Sequence, residues 1–99
     1  MSRVSAFLSR YWEDGDSERE VRAELRRVAA SGERIRLELE ADVAALRTVL
    51  DDPARDWCLP YLVETYANVG LESFTSATAR DFLRRFAASA DDALDAPTA

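Results

Sequence analysis

Apolar residues recur at helical spacing along nearly the whole chain. In the first segment they fall at positions i, i+3, i+4, i+7 and i+8, the spacing that places side chains on one face of a helix. The residues at these positions are Val4, Phe7, Leu8, Tyr11 and Trp12. We therefore expect a first helix that Ser2 caps, with Gly15 in the turn that follows.

A second helix is predicted to begin at Ser17. Ser17 and Glu20 have the S-x-x-E spacing of a capping box, in which each side chain accepts a hydrogen bond from the other residue's backbone N–H. Gly32 is expected to end this helix, because glycine is the residue most often found just past a helix C-terminus. The predicted buried face consists of Val21, Leu25 and Val28.

The third segment, residues 33–50, shows the longest helical pattern. Its main apolar stripe has a 4-4-3-4 spacing and consists of Ile35, Leu39, Val43, Leu46 and Leu50. Leu37 and Val49 widen the stripe, and the charged residues of the segment, Asp42 among them, are expected to lie mostly on the rest of the circumference.

Two prolines shape the segment that follows. Asp52 and Pro53 are typical of an N-cap followed by the first helical residue. Pro60 lies in the middle of the next apolar pattern, where it removes a backbone donor and clashes with the preceding turn. We expect either a short turn before Pro60 and a helix that starts near it, or one kinked helix that Gly70 ends. The apolar face would hold Trp57, Tyr61, Leu62 and Tyr66.

A last helix is predicted after a loop at residues 71–75. Thr75 or Ser76 is placed to cap it, and Thr78 with Asp81 is a second capping pair. Its apolar residues are Ala79, Phe82, Leu83 and Phe86. After about residue 89 the sequence becomes an acidic segment of the kind that frays. The predicted fold is all-α: a single small bundle of four to five helices in residues 1–89, with a disordered acidic C-terminal tail at residues 90–99.

The composition argues against catalysis. The 99 residues include no histidine, no lysine and one cysteine, Cys58. Histidine is the usual proton shuttle near neutral pH and the commonest metal ligand, and one thiol cannot complete a thiolate metal site. The neighbours of Cys58 are Trp57 and Leu59, without an adjacent base, so we expect a buried, inert thiol. The prediction is a protein that acts by binding, with no enzyme activity, no metal and no cofactor.

The net charge of −6 narrows the class of partner. A negative surface repels phosphate backbones, which disfavours nucleic acid, and attracts a basic protein. No apolar run reaches the roughly 20 residues that span a membrane, and no secretory signal is visible at the N-terminus. With a single cysteine, the expected location is the cytoplasm.

Carboxylates cluster at two predicted junctions. The first cluster has five in eight residues: Glu13, Asp14, Asp16, Glu18 and Glu20. Acids at a helix N-terminus complement the helix dipole and loops are solvated, so a purely structural role is one interpretation; an electronegative patch for a basic partner is the other. The spacing does not fit a calcium-binding EF-hand loop. The second cluster is Asp51, Asp52 and Asp56. In an up-down bundle both junctions lie at the same end, so the two clusters would form one face.

The aromatic residues have two interpretations. Tyr11 and Trp12 fit the core, but adjacent helical residues point about 100° apart, so one of the two could remain partly exposed. A half-exposed aromatic side chain beside carboxylates makes a good interface anchor. Trp57, Tyr61 and Tyr66 have the same ambiguity.

Three features occur in order over about residues 7–88. The first is the aromatic-acidic run Tyr11-Trp12-Glu13-Asp14. The second is the capped helix from Ser17 leading to a long helix with an acidic stretch at residues 38–42. The third is Gly70-Leu71-Glu72-Ser73 followed by the helix at residues 78–86. Together they resemble the small helical immunity proteins of bacterial contact-dependent growth inhibition and related polymorphic toxin systems. The resemblance implies toxin neutralisation by direct binding, without catalytic residues.

The predicted function is therefore occlusion of the active site or substrate cleft of a basic toxin domain. The predicted partner-binding residues are the carboxylates of both clusters, with Tyr11 or Trp12 as the desolvated anchor. The alternative is a non-catalytic helical adaptor that dimerises through an apolar helix face, marked by exposure of Leu37 and Val49. The oligomeric state is left open.

Overall fold

A computed structural model describes residues 2–12, 17–66 and 75–95. Its elements are α1 (Ser2–Trp12), α2 (Glu18–Ala29), α3 (Glu33–Leu50), a 3-10 helix (Pro53–Cys58), α4 (Leu59–Tyr66) and α5 (Ser76–Asp95). These ranges contain no strand, which confirms the all-α prediction. The turns expected at Gly15 and Gly70 lie outside the described residues.

Helix α2 begins at a capping box, and a glycine separates its end from the start of α3. At the start of α2, the N–H of Glu20 donates to Ser17 Oγ over 3.2 Å and the N–H of Ser17 donates to Glu20 Oε1 over 3.4 Å, which confirms the capping box. At its end, Ala30 is the C-cap. Gly32, predicted to stop α2, is instead the N-cap of α3, with φ of +152°. Residues with a Cβ rarely adopt that conformation, so the chain needs glycine there.

The third helix has the predicted bounds, but one end of its apolar stripe is exposed. Leu39, Val43, Leu46, Val49 and Leu50 are buried. Ile35, predicted to be buried, is 42% exposed, and Leu37 is 57% exposed. Ile35 and Leu37 lie in the first two turns of α3, before Leu39, which is its first buried residue, so the neighbouring helices do not cover this end of the stripe.

Pro60 starts a helix rather than kinking one. The 3-10 helix ends at Cys58, and Leu59 and Pro60 are the first two residues of α4. A backbone N–H at a helix start has no partner within the helix, so the missing donor of proline costs nothing there. Asp52 precedes the 3-10 helix as predicted, and its Oδ1 accepts a hydrogen bond from the N–H of Ala54 over 3.0 Å.

The last helix is longer than predicted. Thr75 caps it: its Oγ1 accepts the N–H of Thr78 over 3.2 Å, and its own N–H donates to Thr78 Oγ1 over 2.9 Å. The helix continues to Asp95, and Ala90, Ala93 and Leu94 are buried. The prediction of a disordered tail from residue 90 is therefore wrong for residues 90–95, because small apolar residues continue the buried stripe beneath the acidic face. Residues 96–99 lie outside the described part.

The core forms where α5 meets the other elements. Helix α5 packs against α2, α3, α4 and the 3-10 helix. Its Phe86 ring stacks on Phe7 with centroids 4.6 Å apart and meets Tyr11 edge-on at 5.9 Å. Trp12 contacts both Phe82 and Phe86, at 4.8 Å and 5.8 Å. This aromatic cluster fills the space between α1 and α5. No helix in the described ranges combines the length and apolar character needed to cross a membrane.

Candidate functional site

Tyr11 and Trp12 belong to the core. They are 3% and 4% exposed; Tyr11 packs against Phe7 of α1 and Phe86 of α5, and Trp12 packs against Phe82 and Phe86 of α5. Neither side chain is therefore the half-exposed anchor that the aromatic-acidic run suggested. The reason is the width of the buried face of α1, which α3, α4 and α5 cover broadly enough to include two adjacent positions.

Both core aromatics carry a polar atom without a partner. Within the described residues, neither Tyr11 Oη nor Trp12 Nε1 has a hydrogen-bond partner, and both atoms are buried. Burial raises the pKa of Tyr11, while the nearby Arg10 opposes that rise. These two atoms are therefore a local weakness of the fold.

Two aromatic side chains close to Cys58 in sequence are exposed. Trp57 is 80% exposed and Tyr61 is 59% exposed. The four residues Cys58, Leu59, Leu62 and Val63 are buried around them. Of the two interpretations left open for Trp57 and Tyr61, the buried one is therefore wrong and the exposed one holds, while Leu62 is buried as predicted. The side chain of Tyr66 lies outside the described part.

Local structure holds Trp57 outward. The Cys58 thiol points inward and donates to the carbonyl oxygen of Arg55 over 3.0 Å, and Leu59 is fully buried. Trp57 precedes this inward-facing pair in the 3-10 helix, and Tyr61 follows it in α4. Both side chains are exposed near the junction between these two elements. We call Trp57 and Tyr61 the aromatic pair.

Carboxylates flank the aromatic pair in sequence. Asp51 is the C-cap of α3 and is exposed. Asp52 uses both oxygens locally, because Oδ2 also accepts the Arg55 Nε–H over 3.3 Å. Asp56 lies in the 3-10 helix, and its side chain is outside the described part. Of the two carboxylates of this cluster that the structure describes, Asp51 is the exposed one that the hydrogen bonds to Ala54 and Arg55 leave open.

The first carboxylate cluster is partly occupied by internal contacts. Glu20 accepts the hydrogen bond of the capping box. Glu18 lies 3.8 Å from Arg22 and 3.7 Å from Arg85, measured between the carboxylate oxygen and the nearest guanidinium nitrogen. Exposed pairs of this kind are weak, so a partner's cation can compete for Glu18. Glu13, Asp14 and Asp16 lie outside the described residues.

The start of α2 and the end of α3, where the two carboxylate clusters lie, both contact the same part of α5. Arg85 of α5 pairs with Glu18 at the start of α2, and Arg80 donates to the carbonyl oxygen of Leu50 at the end of α3. Five residues of helix span only about 7.5 Å along the axis. The start of α2 and the end of α3 therefore lie at the same end of the bundle, as the up-down arrangement requires.

A groove between α1 and α3 holds a buried carboxylate. The groove has a volume of about 430 Å³ and is lined by Arg3, Ala6, Phe7, Arg10, Glu38 and Asp42. Asp42 is buried, with Oδ1 3.0 Å from Arg3 Nη1 and Oδ2 4.0 Å from Arg10 Nη1. Burial raises the pKa of Asp42, although both arginines oppose the rise. The expected placement of Asp42 off the buried face was wrong, and the signal was available: position 42 lies three residues after Leu39 and four before Leu46.

Across residues 2–12, 17–66 and 75–95, no group of three or more His, Cys, Asp or Glu side chains converges as a metal site. The Cys58 thiol is buried and bonded to a backbone carbonyl. No protein-family model, curated protein or solved structure matches this chain. The described surface exposes two large aromatic side chains, Trp57 and Tyr61, in the segment that follows the exposed Asp51.

Proposed function

We propose that this chain is an immunity-type protein that neutralises a cognate toxin domain by direct binding, covering the toxin's active site or substrate cleft. The observation that carries the proposal is the exposure of the aromatic pair. Trp57 is 80% exposed on a chain that buries its other tryptophan almost completely. Tryptophan and tyrosine are among the residues most enriched at the energetic centres of protein interfaces.

The charge of the chain supports a basic partner. With a net charge of −6, the protein accelerates its encounter with a positively charged surface such as a nuclease cleft. The exposed Asp51, near the aromatic pair in sequence, supplies a local charge for that contact. In this mechanism the carboxylates attract the basic toxin before contact, and the aromatic pair forms the part of the interface from which water is removed. The binding would take place in the cytoplasm, where a delivered toxin acts.

A growth assay tests the proposal. The domain encoded by the neighbouring reading frame, as the candidate toxin, would be co-expressed with the wild-type protein and with Trp57→Ala. Wild type should restore growth and Trp57→Ala should not, while Leu37→Ala, which truncates an exposed apolar residue on another element, should restore growth fully. Growth arrest with the wild-type protein contradicts the function. Full rescue by Trp57→Ala contradicts the proposed surface.

A dimerising adaptor is a second candidate, and one observation favours it. Ile35 and Leu37 are both exposed in the first turns of α3. The adaptor was expected to expose both Leu37 and Val49, but Val49 is buried. Sedimentation at micromolar concentration discriminates the two: a dimer that Leu37→Asp converts to a monomer favours the adaptor, and a monomer at that concentration favours the immunity-type protein.

A further inference from the structure

The groove between α1 and α3 keeps its opposite charges on separate helices. Its two arginines, Arg3 and Arg10, are on α1. Its two carboxylates, Glu38 and Asp42, are on α3. The charges of the lining therefore cancel, and a ligand with a single charge would be attracted by one helix and repelled by the other.

One oxygen of the buried Asp42 carboxylate remains open as a hydrogen-bond acceptor. Asp42 is 7% exposed, and its Oδ1 accepts a hydrogen bond from Arg3 Nη1 over 3.0 Å. Its Oδ2 lies 4.0 Å from Arg10 Nη1, which exceeds hydrogen-bond distance, and none of the described residues donates a hydrogen bond to it. Buried polar groups normally have their hydrogen bonds satisfied. Because Asp42 lines the groove, a donor that enters the groove finds an acceptor there.

The rim of the groove carries two further charged groups that the fold leaves available. Arg10 and Glu38 are both exposed. Arg10 has only the 4.0 Å contact with Asp42, and Glu38 has no ion pair, within the part of the chain that the structure describes. Glu38 precedes Asp42 by four residues, which places both on the same side of α3. Burial raises the pKa of Asp42, and the charge of Glu38 adds to that rise.

We propose that this groove binds a free α-amino acid. Such a ligand carries its carboxylate and its ammonium group on the same carbon, so it presents an acceptor and a donor side by side. The carboxylate accepts hydrogen bonds from the Arg10 guanidinium while the ammonium group donates to Asp42 Oδ2, and these two protein groups stand 4.0 Å apart without reaching each other. Glu38 is a second acceptor for the ammonium group. The site shares no residue with the aromatic pair and does not depend on the proposed function.

The rest of the lining determines the size and the side chain of the ligand. The groove has a volume of about 430 Å³, in the lower part of the range of small-molecule pockets. Ala6 and Phe7 supply the apolar part of the lining, against which an apolar side chain is removed from water. We therefore expect an apolar amino acid such as leucine. Phosphate and divalent cations each carry one sign of charge and should bind more weakly.

Leucine and two blocked derivatives test the charge requirement on the intact chain. Leucinamide keeps the ammonium group without the carboxylate, and N-acetylleucine keeps the carboxylate without the ammonium group. Binding would be followed through the backbone amide signals of Ala6, Phe7 and Asp42 in NMR titrations. Leucine should bind with a Kd of about 1 mM, and each derivative should bind at least about tenfold more weakly. If either derivative binds as tightly as leucine, or if leucine at about 10 mM shifts none of these signals, the proposal is refuted.

Two surface variants locate the site. Arg10→Gln and Glu38→Gln should each weaken leucine binding about tenfold, because each removes one charge-assisted contact with the ligand. The matched controls are Arg84→Gln and Glu40→Gln, which remove charges outside the lining and should leave the Kd unchanged. All four positions are exposed, so the variants should fold, which circular dichroism would verify. Equal affinities of Glu38→Gln and Glu40→Gln for leucine would place binding elsewhere and contradict the proposal.

Discussion

Arg3 Nη1 lies 3.0 Å from the Oδ1 atom of Asp42, a contact between residues 39 positions apart that joins α1 to α3. The carboxylate is buried, while the arginine is about half exposed. A buried charge that loses its partner is costly, whereas the same pair replaced on both sides is nearly neutral.

The first prediction concerns this pair. Arg3→Gln should lower the free energy of unfolding by about 1–2 kcal/mol, a range reduced from that of a fully buried pair because the guanidinium is exposed to solvent. Arg3→Gln combined with Asp42→Asn should recover most of the loss. Urea unfolding of the single and double variants measures the coupling. The matched control is Arg84→Gln, an exposed arginine on α5; equal losses in Arg3→Gln and Arg84→Gln would refute a special role for Arg3.

The second prediction concerns pH. Burial raises the pKa of Asp42 above its ordinary value of 3.8, so between that value and the raised pKa the folded chain binds more protons than the unfolded chain. The contribution of Asp42 to stability is therefore greatest below the unfolded pKa and is lost as the pH rises through the folded pKa. The difference in unfolding free energy between wild type and Asp42→Asn should thus shift against wild type as the pH rises from below 3.8 through the folded pKa.

Measuring both proteins under the same conditions removes the contributions of the other carboxylates. If the difference instead moves in favour of wild type as the pH rises, the attraction of Arg3 and Arg10 outweighs burial and the sign of the pKa shift is wrong.

The third prediction uses the buried hydroxyl of Tyr11. Because this oxygen has no hydrogen-bond partner among the described residues, Tyr11→Phe removes a desolvated polar atom and keeps the ring contacts with Phe7 and Phe86. The variant should be more stable than wild type by about 1 kcal/mol. Thermal and urea unfolding would measure the gain. A variant less stable than wild type would mean that the hydroxyl is hydrogen-bonded in solution.

The fourth prediction compares the stability effects of truncating an exposed side chain and a buried side chain two positions apart. Trp57→Ala should change the unfolding free energy by less than about 0.5 kcal/mol, because the side chain is exposed. Leu59→Ala, at a fully buried neighbour, should cost about 2–5 kcal/mol. A large loss of stability in Trp57→Ala would show that the ring packs against the bundle, and its loss of rescue could then no longer be assigned to binding.

Helical spacing predicted most of the fold, because an apolar stripe identifies a helix wherever one side of it is covered. The bounds of α3, the capping box of α2 and the start of a helix near Pro60 all follow from local chemistry that the sequence displays. The extension of α5 to Asp95 did not, since Ala90 and Ala93 add little apolar character to a segment rich in aspartate. Their burial depends on neighbours that are distant in the chain.

The candidate site was harder to predict for a related reason. Tyr11 and Trp57 are aromatic residues of similar local surroundings, each within an apolar pattern and near carboxylates. Which of them reaches solvent depends on how many helices cover each face, a property of the assembled bundle. Asp42 is a similar case, because its burial becomes favourable only when α1 brings Arg3 beside it.

The placement of α5 has a consequence for how the molecule comes into being. The described residues before position 76 include four α-helices, yet the Phe7, Tyr11 and Trp12 rings near the start of the chain lack the Phe86 ring that contacts all three until α5 has been synthesised. A nascent chain that has emerged only as far as α4 would expose those rings, together with the apolar sides of α2 and α3, to chaperones and proteases. Maturation should therefore be abrupt and late, and a truncation that removes α5 should abolish accumulation of the protein rather than leave a smaller working version.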